Sequence, residues 1–346
     1  MLYYRISICG GTYLEETSEN CFEMGISCYS FSVLALVLWN QIFKHIDSKL
    51  LPNAYGQDVE VDGKTMVVDI QGEENETTII LLPGSASASP VLEFLPLAEA
   101  LSKHYRVITI EPFGYGLSDS TNACRDMDTV VKELHQCVSA LGYNRYYLMA
   151  HSLSGLYSLY WANTYPEEVL GFIGIDCSVP GQNEENPYPI SITAINKISA
   201  YLQKTQNVLG ISRVLSIGDP QRIIFADFSY NYSEEQINLY RILTLDRSYN
   251  KTVLNEQNCF DTHLTTVAEM KFPENLPVLQ FVASSNCDVM AAWEQLHKDV
   301  ITETMYSKVI RMEGGHYLHF VKKTEITETV NQWIASLPSK DAPALS

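Results

Sequence analysis

Beyond about residue 53, short runs rich in β-branched residues alternate with stretches of helical period. That rhythm is what a mostly parallel sheet requires, because each crossover between parallel strands needs a helix to cover a sheet face. Strands are expected near Asp58 to Val61, Thr65 to Ile70, Thr78 to Leu82, Arg106 to Glu111, Tyr146 to Ala150, Gly171 to Ile175, Pro277 to Ala283 and Lys308 to Met312. Helices are expected over Val91 to Lys103, Asp128 to Leu141, Leu153 to Asn163 and Thr324 to Ile334, where apolar residues recur at i, i+3 and i+4. No fixed-period repeat is visible, which excludes a solenoid or propeller.

The rhythm breaks between Pro180 and Glu274, where helical-period pieces and aromatics occur without strands. This stretch reads as an inserted helical lid (residues 180–274) on a core formed by residues 53–179 and 275–340. Its aromatics Tyr188, Tyr201, Phe225, Phe228, Tyr230, Tyr232 and Tyr240 are candidates for lining a pocket, or else they form the lid's own core.

Residues 1–52 form a separate N-terminal tail. No charged residue occurs from Gly25 to Phe43, a run of about 28 Å as a helix, close to the thickness of a bilayer's hydrocarbon. It is the candidate membrane-anchor segment, weakened by Ser27, Ser30, Ser32, Asn40 and Gln41, and an amphipathic helix packed on the domain is the alternative. The glutamates before it have the wrong sign for a secretory leader, and Met24 is an alternative start. Membrane association through this segment is one expected location, and the cytoplasm is the other.

Net charge narrows the partners. With 23 Lys and Arg against 41 Asp and Glu, a formal charge of -18, the surface repels a phosphate backbone, so no nucleic-acid partner is expected. The eight cysteines lack a Cys-x-x-Cys pair or histidines at ligand spacing, so no metal is expected and the thiols read as reduced.

The chemistry concentrates in Tyr146-Tyr147-Leu148-Met149-Ala150-His151-Ser152-Leu153-Ser154-Gly155-Leu156, an apolar strand that runs into a helix through small residues. A serine on such a sharp turn presents its hydroxyl above the sheet edge, provided its neighbours two positions away are small, as Ala150 and Ser154 are. Ser152 is therefore the candidate nucleophile. A serine hydroxyl needs a base to take its proton. His316 is the candidate, in Glu313-Gly314-Gly315-His316-Tyr317-Leu318 after the last strand. His319 and His151 read as structural.

With these segments, and with Gly114-Tyr115-Gly116-Leu117-Ser118-Asp119, the chain from about Asn53 onward resembles the α/β-hydrolase superfamily. The expected fold class is thus α/β, a mostly parallel eight-stranded sheet flanked by helices, with an inserted lid. A narrower likeness, carried by the uncharged N-terminal run, Arg125-Asp126-Met127-Asp128-Thr129 and the Ser152 segment, is to bacterial hydrolases with an N-terminal membrane anchor. The resemblance implies a Ser, Asp, His order of the catalytic residues. Asp288, after the strand ending at Ala283, is the expected acid, and Asp176, after the strand ending at Ile175, is the alternative. It also implies backbone donors for an oxyanion at Leu153 and at Ser85 in Leu82-Pro83-Gly84-Ser85-Ala86.

The implied activity is hydrolysis of an ester or amide of a small, apolar acyl substrate through an acyl-enzyme, with no cofactor. A proline-iminopeptidase-like peptidase and a non-catalytic receptor on the same fold are the alternatives. Dehalogenase or epoxide-hydrolase chemistry on this fold needs Asp at the elbow, where this chain has Ser152.

Overall fold

Strands β3 (Thr78–Leu82), β5 (Tyr146–His151) and β7 (Val278–Ala283) are buried at every position, as strands covered on both faces must be. Alternate residues feed two separate cores. Ile79 and Leu81 of β3, with Tyr147 and Met149 of β5, pack against helices α2 (Pro90–Leu101) and α13 (Lys323–Ser336). Ile80, Leu82, Tyr146 and Leu148 pack on the other face against α3 (Met127–Ala140) and α4 (Ser154–Thr164).

The computed structural model describes residues 31–52, 54–185 and 192–338. Its eight-stranded sheet has the order β1-β2-β4-β3-β5-β6-β7-β8, with β1 (Gln57–Val61), β2 (Lys64–Gln71), β4 (Arg106–Glu111), β6 (Val169–Ile175) and β8 (Lys308–Met312) completing it. β1 and β2 are antiparallel to their neighbours and the rest of the pairs are parallel. The expected α/β sheet is therefore present. Because the parallel strands all point one way, the turns after β3, β5, β6, β7 and β8 gather at one edge, where open α/β sheets bind ligands.

Between β6 and β7 the chain is helical: α5 (Ile192–Leu209), α6 (Ile211–Leu215), α7 (Glu234–Arg247), α8 (Lys251–Asn258) and α9 (Phe260–Thr266). Ser233 caps α7 with a reciprocal capping box through Gln236. Leu239, Ile242 and Leu243 of α7 pack with Leu92 of α2 and Ile224 in a third apolar cluster that seats these helices on the sheet domain. Short helices α10 (Ser284–Val289), α11 (Trp293–Asp299) and α12 (Leu318–Val321) follow β7 and β8.

The transmembrane expectation fails for the described residues. Residues 31–47 form a helix, α1, but no described helix is long and apolar enough to cross a membrane. Lys44, His45 and Asp47 end the uncharged run, and Asp47 pairs with the buried Arg213 at 2.5 Å. Residues 25–30 of the candidate anchor lie outside the described residues. Cys124, Cys137, Cys177, Cys259 and Cys287 are free thiols.

The Arg125-to-Thr129 motif has a structural role. Asp126 caps α3 by accepting from Thr129 N, while Arg125 turns inward, 2% exposed, onto Glu133 one helical face away. Arg125 Nη1 donates to both Glu133 oxygens at 2.9 and 2.7 Å, and its carbonyl accepts from His263 of α9 at 2.7 Å. Removing one partner of a buried ion pair strands the other charge and costs about 3–5 kcal/mol. Glu133→Ala is expected to lose that much stability, read as the urea midpoint, and an unchanged midpoint would show that the pair does not hold this corner.

Candidate functional site

At the end of β5, Ser152 takes φ +52°, a left-handed conformation that a residue with a Cβ adopts at a cost of about 1–2 kcal/mol. Neighbouring contacts hold it there. The Ser152 amide donates to Ile175 O, and its carbonyl accepts from Gly155 N at 2.9 Å and Ser178 N at 2.8 Å. A side chain at position 155 is excluded, since a Cβ there would stand 2.4 Å from Cys177 Cβ. Ser154 Oγ donates to Pro83 O, which ties the elbow to the turn after β3. Gly84 in that turn is equally confined: a Cβ would lie 2.6 Å from His151 Nδ1 and 3.1 Å from Ser152 Cβ.

His316 is carried on the loop after β8, and His151 anchors that loop by donating from Nε2 to the His316 carbonyl at 3.1 Å. His316 Nδ1 donates to Asp176 Oδ2 at 2.7 Å. Asp176 follows β6 at φ +44° and is fully buried. Its Oδ1 accepts from Ala283 N (2.8 Å) and Trp293 Nε1 (2.9 Å), and its Oδ2 also accepts from Asn286 Nδ2 (2.5 Å). Burial pushes this carboxyl upward, but the hydrogen bond and charge of His316, with the Ala283 and Trp293 donors, outweigh it and hold the pKa below the usual carboxylate value.

The carboxylate on His316 is thus that of Asp176, and the expectation of Asp288 in that place is corrected. After β7 the chain coils at once into α10, which turns Asp288 outward, 70% exposed and paired with Arg311 at 2.5 Å. Asn286 and Trp293, which brace Asp176, carry no sequence signal, because they meet it only through the packing of α10 and α11 on β6.

Ser152 and His316 both face a cavity of about 1030 Å3, as do Ser85 and Leu153. The backbone N–H groups of Ser85 and Leu153 have no hydrogen-bond partner among the described residues, whereas the Ala86 N–H is taken by Tyr115 Oη at 3.2 Å. Of the expected aromatics, Phe225, Phe228 and Tyr240 line the cavity, and Tyr201, Tyr230 and Tyr232 do not. Tyr188 lies outside the described residues. Tyr249, Phe260 and Tyr317 line it without having been singled out in the sequence. Behind the elbow, Glu93, His151 and His319 form a buried group, with His319 Nε2 at 3.3 Å from Glu93 Oε1. Burial holds the His151 pKa well below its ordinary value, reinforced by the neighbouring His316 and His319, so this imidazole is neutral at pH 7.

A sequence profile described as the alpha/beta hydrolase fold matches residues 77–197. The chain is 35% identical over 128 residues to the uncharacterised protein YbdG of Bacillus subtilis, a match covering 37% of this chain and 39% of that one. It is 30% identical over 104 residues to a putative carbamate hydrolase, RutD, of Pantoea ananatis, covering 29% and 37%. The chain therefore spans under half the length of these two curated relatives. Among solved structures, Cfl2 of Burkholderia cenocepacia superposes with TM-score 0.61 at 18% identity, over 82% of this chain and 97% of that one. The epoxide hydrolase VrEH1 of Vigna radiata gives 0.61 at 18% over 82% and 98%, and a loop variant of the haloalkane dehalogenase DbeA of Bradyrhizobium elkanii gives 0.54 at 19% over 81% and 95%. At these identities the superpositions report the shared fold.

A short imidazole–carboxylate hydrogen bond shifts its proton far downfield in NMR. Such a resonance is expected in the wild type and in Asp288→Asn, and its loss is expected in Asp176→Asn. Its persistence in Asp176→Asn would overturn the pairing.

Proposed function

We propose that the protein is a serine hydrolase of the α/β-hydrolase superfamily that cleaves an ester or amide through an acyl-enzyme. One observation carries the reading. A strained serine at the strand edge shares a cavity with a histidine whose far nitrogen is held by a buried carboxylate.

In this reading Ser152 Oγ attacks the substrate carbonyl carbon as His316 Nε2 takes the hydroxyl proton. Asp176 keeps Nδ1 protonated, so Nε2 presents its lone pair, and it stabilises the imidazolium that forms. The N–H groups of Ser85 and Leu153 receive the developing oxyanion. Nε2 then gives its proton to the leaving group, and a water deprotonated by the same nitrogen attacks the acyl-enzyme and frees Ser152. A hydroxyl nucleophile also bears on which of the fold's chemistries applies. Displacing a halide or opening an epoxide with serine would leave an ether that water does not cleave, whereas an acyl ester is released readily. The helices between β6 and β7 act as the lid, and Leu215, Phe225, Phe228 and Tyr240 on the cavity wall favour an apolar acyl group.

A fluorophosphonate is expected to label the wild type at Ser152 and to leave Ser152→Ala unlabelled; labelling that survives the substitution would sink the assignment. With p-nitrophenyl acyl esters, Asp176→Asn is expected to lower kcat by about 10³–10⁴-fold with KM little changed. Asp288→Asn should stay close to wild type. Binding without turnover for every acyl ester and aminoacyl amide tried would favour a receptor instead.

A second reading concerns where the substrate is met, and a specific surface favours it. Phe31, Leu34, Leu38 and Ile42 form an exposed stripe on α1, and Ile198 and Leu202 are exposed on α5. α1 is locked to the α5–α6 junction, with Asn40 Nδ2 donating to Asn207 O at 2.9 Å and Asn40 Oδ1 accepting from Arg213 Nε at 2.8 Å. Phe225, Phe228 and Leu215, themselves about half exposed or more, lie on the cavity wall. The basic residues of this region are largely neutralised, Lys44 by Asp246, Lys197 by Asp261, Arg213 by Asp47 and Arg222 by Asp219, so the face is apolar in character. An exposed apolar face of this kind fits a lipid surface on which the helices lie flat. The full chain is expected to co-sediment with phosphatidylcholine vesicles, since the contact is apolar. Leu34→Glu with Leu38→Glu should release it, and equal recovery in the supernatant with and without vesicles would refute the reading.

A further inference from the structure

The buried group behind the elbow consists of metal-ligand side chains brought together from three elements. Glu93 comes from α2, His151 from the end of β5 and His319 from α12. They are 3%, 1% and 2% exposed, and one ligand atom from each lies within 4.8 Å of the other two. Tetrahedral coordination at about 2.0–2.1 Å places ligand atoms roughly 3.3 Å apart, so side-chain adjustments of about an ångström would close the group on an ion.

Their polar atoms are short of partners. Glu93 Oε1, His151 Nδ1 and both ring nitrogens of His319 are buried without a hydrogen bond among the described residues, although His319 Nε2 and Glu93 Oε1 approach one another to 3.3 Å. A buried polar atom left in that state costs about 1–3 kcal/mol, so several in one place call for a common partner. The other atoms of the group are arranged as supports. His151 Nε2 donates to the His316 carbonyl, which leaves the lone pair on Nδ1, and Glu93 Oε2 accepts from Ser87 Oγ at 2.6 Å. A ligating imidazole commonly donates its second N–H to a backbone carbonyl, and a ligating carboxylate is commonly hydrogen-bonded in turn. A Cβ at Gly84 would stand 2.6 Å from His151 Nδ1, so a side chain at that position would cover the nitrogen. Glu93 and His151 also line the cavity, which supplies an entry path and room for a non-protein ligand in the fourth position.

We propose that Glu93, His151 and His319 form a divalent-metal site of two imidazoles and one carboxylate, suited to Zn2+, directly behind the nucleophile elbow. Two neutral imidazoles and one carboxylate leave a bound Zn2+ with a net positive charge. That charge lies beside the turn carrying Ser85, so an occupied site would tie α2, β5 and α12 together where the oxyanion donors are placed. This replaces the sequence-based expectation of no metal, which scattered ligands made natural: the three residues are separated by more than fifty positions in one interval and more than one hundred and fifty in the other.

The test uses the full chain stripped with a chelator and Zn2+ alone as probe, with no substrate, so its outcome is independent of the hydrolase reading. Calorimetry is expected to show one equivalent of Zn2+ bound by the wild type and by the exposed-histidine control His104→Gln, with affinity reduced at least tenfold in Glu93→Gln and in His319→Gln. Absence of binding, or binding that both variants retain, would overturn the site and leave Glu93 and His319 as a buried polar contact. Should either variant fail to fold, Co2+ bound to the wild-type chain decides the matter. Intense visible d–d bands of a four-coordinate site support it, and the weak spectrum of hexa-aqua or surface-bound Co2+ excludes it.

Discussion

The Asp176 carboxylate holds together the parts that meet at the sheet edge. Sinking a carboxylate into the interior costs several kcal/mol unless its lone pairs are filled, and here they are filled by a β7 amide, an α10 side chain, an α11 indole and the His316 imidazole. Each donor comes from a separate piece of the chain. The desolvation of one group therefore obliges four segments to converge, and the same convergence orients His316 over the cavity.

The elbow depends on close approach more than on bonding. Ser152 sits at a positive φ because Gly155 lets α4 press against Cys177 and because Gly84 lets the turn after β3 pass beside His151. His151 adds a tie between this assembly and the His316 loop. Strain at residue 152 persists because these surroundings leave the chain no relaxed alternative. The site's two halves, the serine turn and the imidazole loop, are thus held in register by a neutral buried histidine adjacent in sequence to the nucleophile.

The helices between β6 and β7 complete the cavity in a different way. They are seated by apolar contact of α7 with α2 and by the Arg125 carbonyl to His263 bond, while α1 closes on them through Asn40, Asp47 and Arg213. The buried face of this unit is ordinary core. Its outer face leaves large side chains such as Phe31, Ile198 and Leu202 in solvent, at a cost of apolar exposure that a contact with lipid would remove.

Much of this was legible in the residues themselves. Strands buried on both faces read as unbroken apolar runs, so β3, β5 and β7 stood out, and helical spacing located α2, α3, α4 and α13, because these patterns are local consequences of backbone period. The small residues around Ser152 and the glycines before His316 likewise betrayed turns, since they answer steric demands within a few positions. The carboxylate partner of His316 was decided only in three dimensions. Asp288 and Asp176 both follow strands at the correct sheet edge, and what separates them is that α10 begins immediately after β7, which carries Asp288 to the surface while Trp293 and Asn286 fold back over Asp176. The meeting of Glu93, His151 and His319 was equally hidden. Local sequence dictates period and turn, because those are contests between neighbouring atoms; which distant polar groups share one buried space depends on how the layers pack, and only the tertiary structure resolves it.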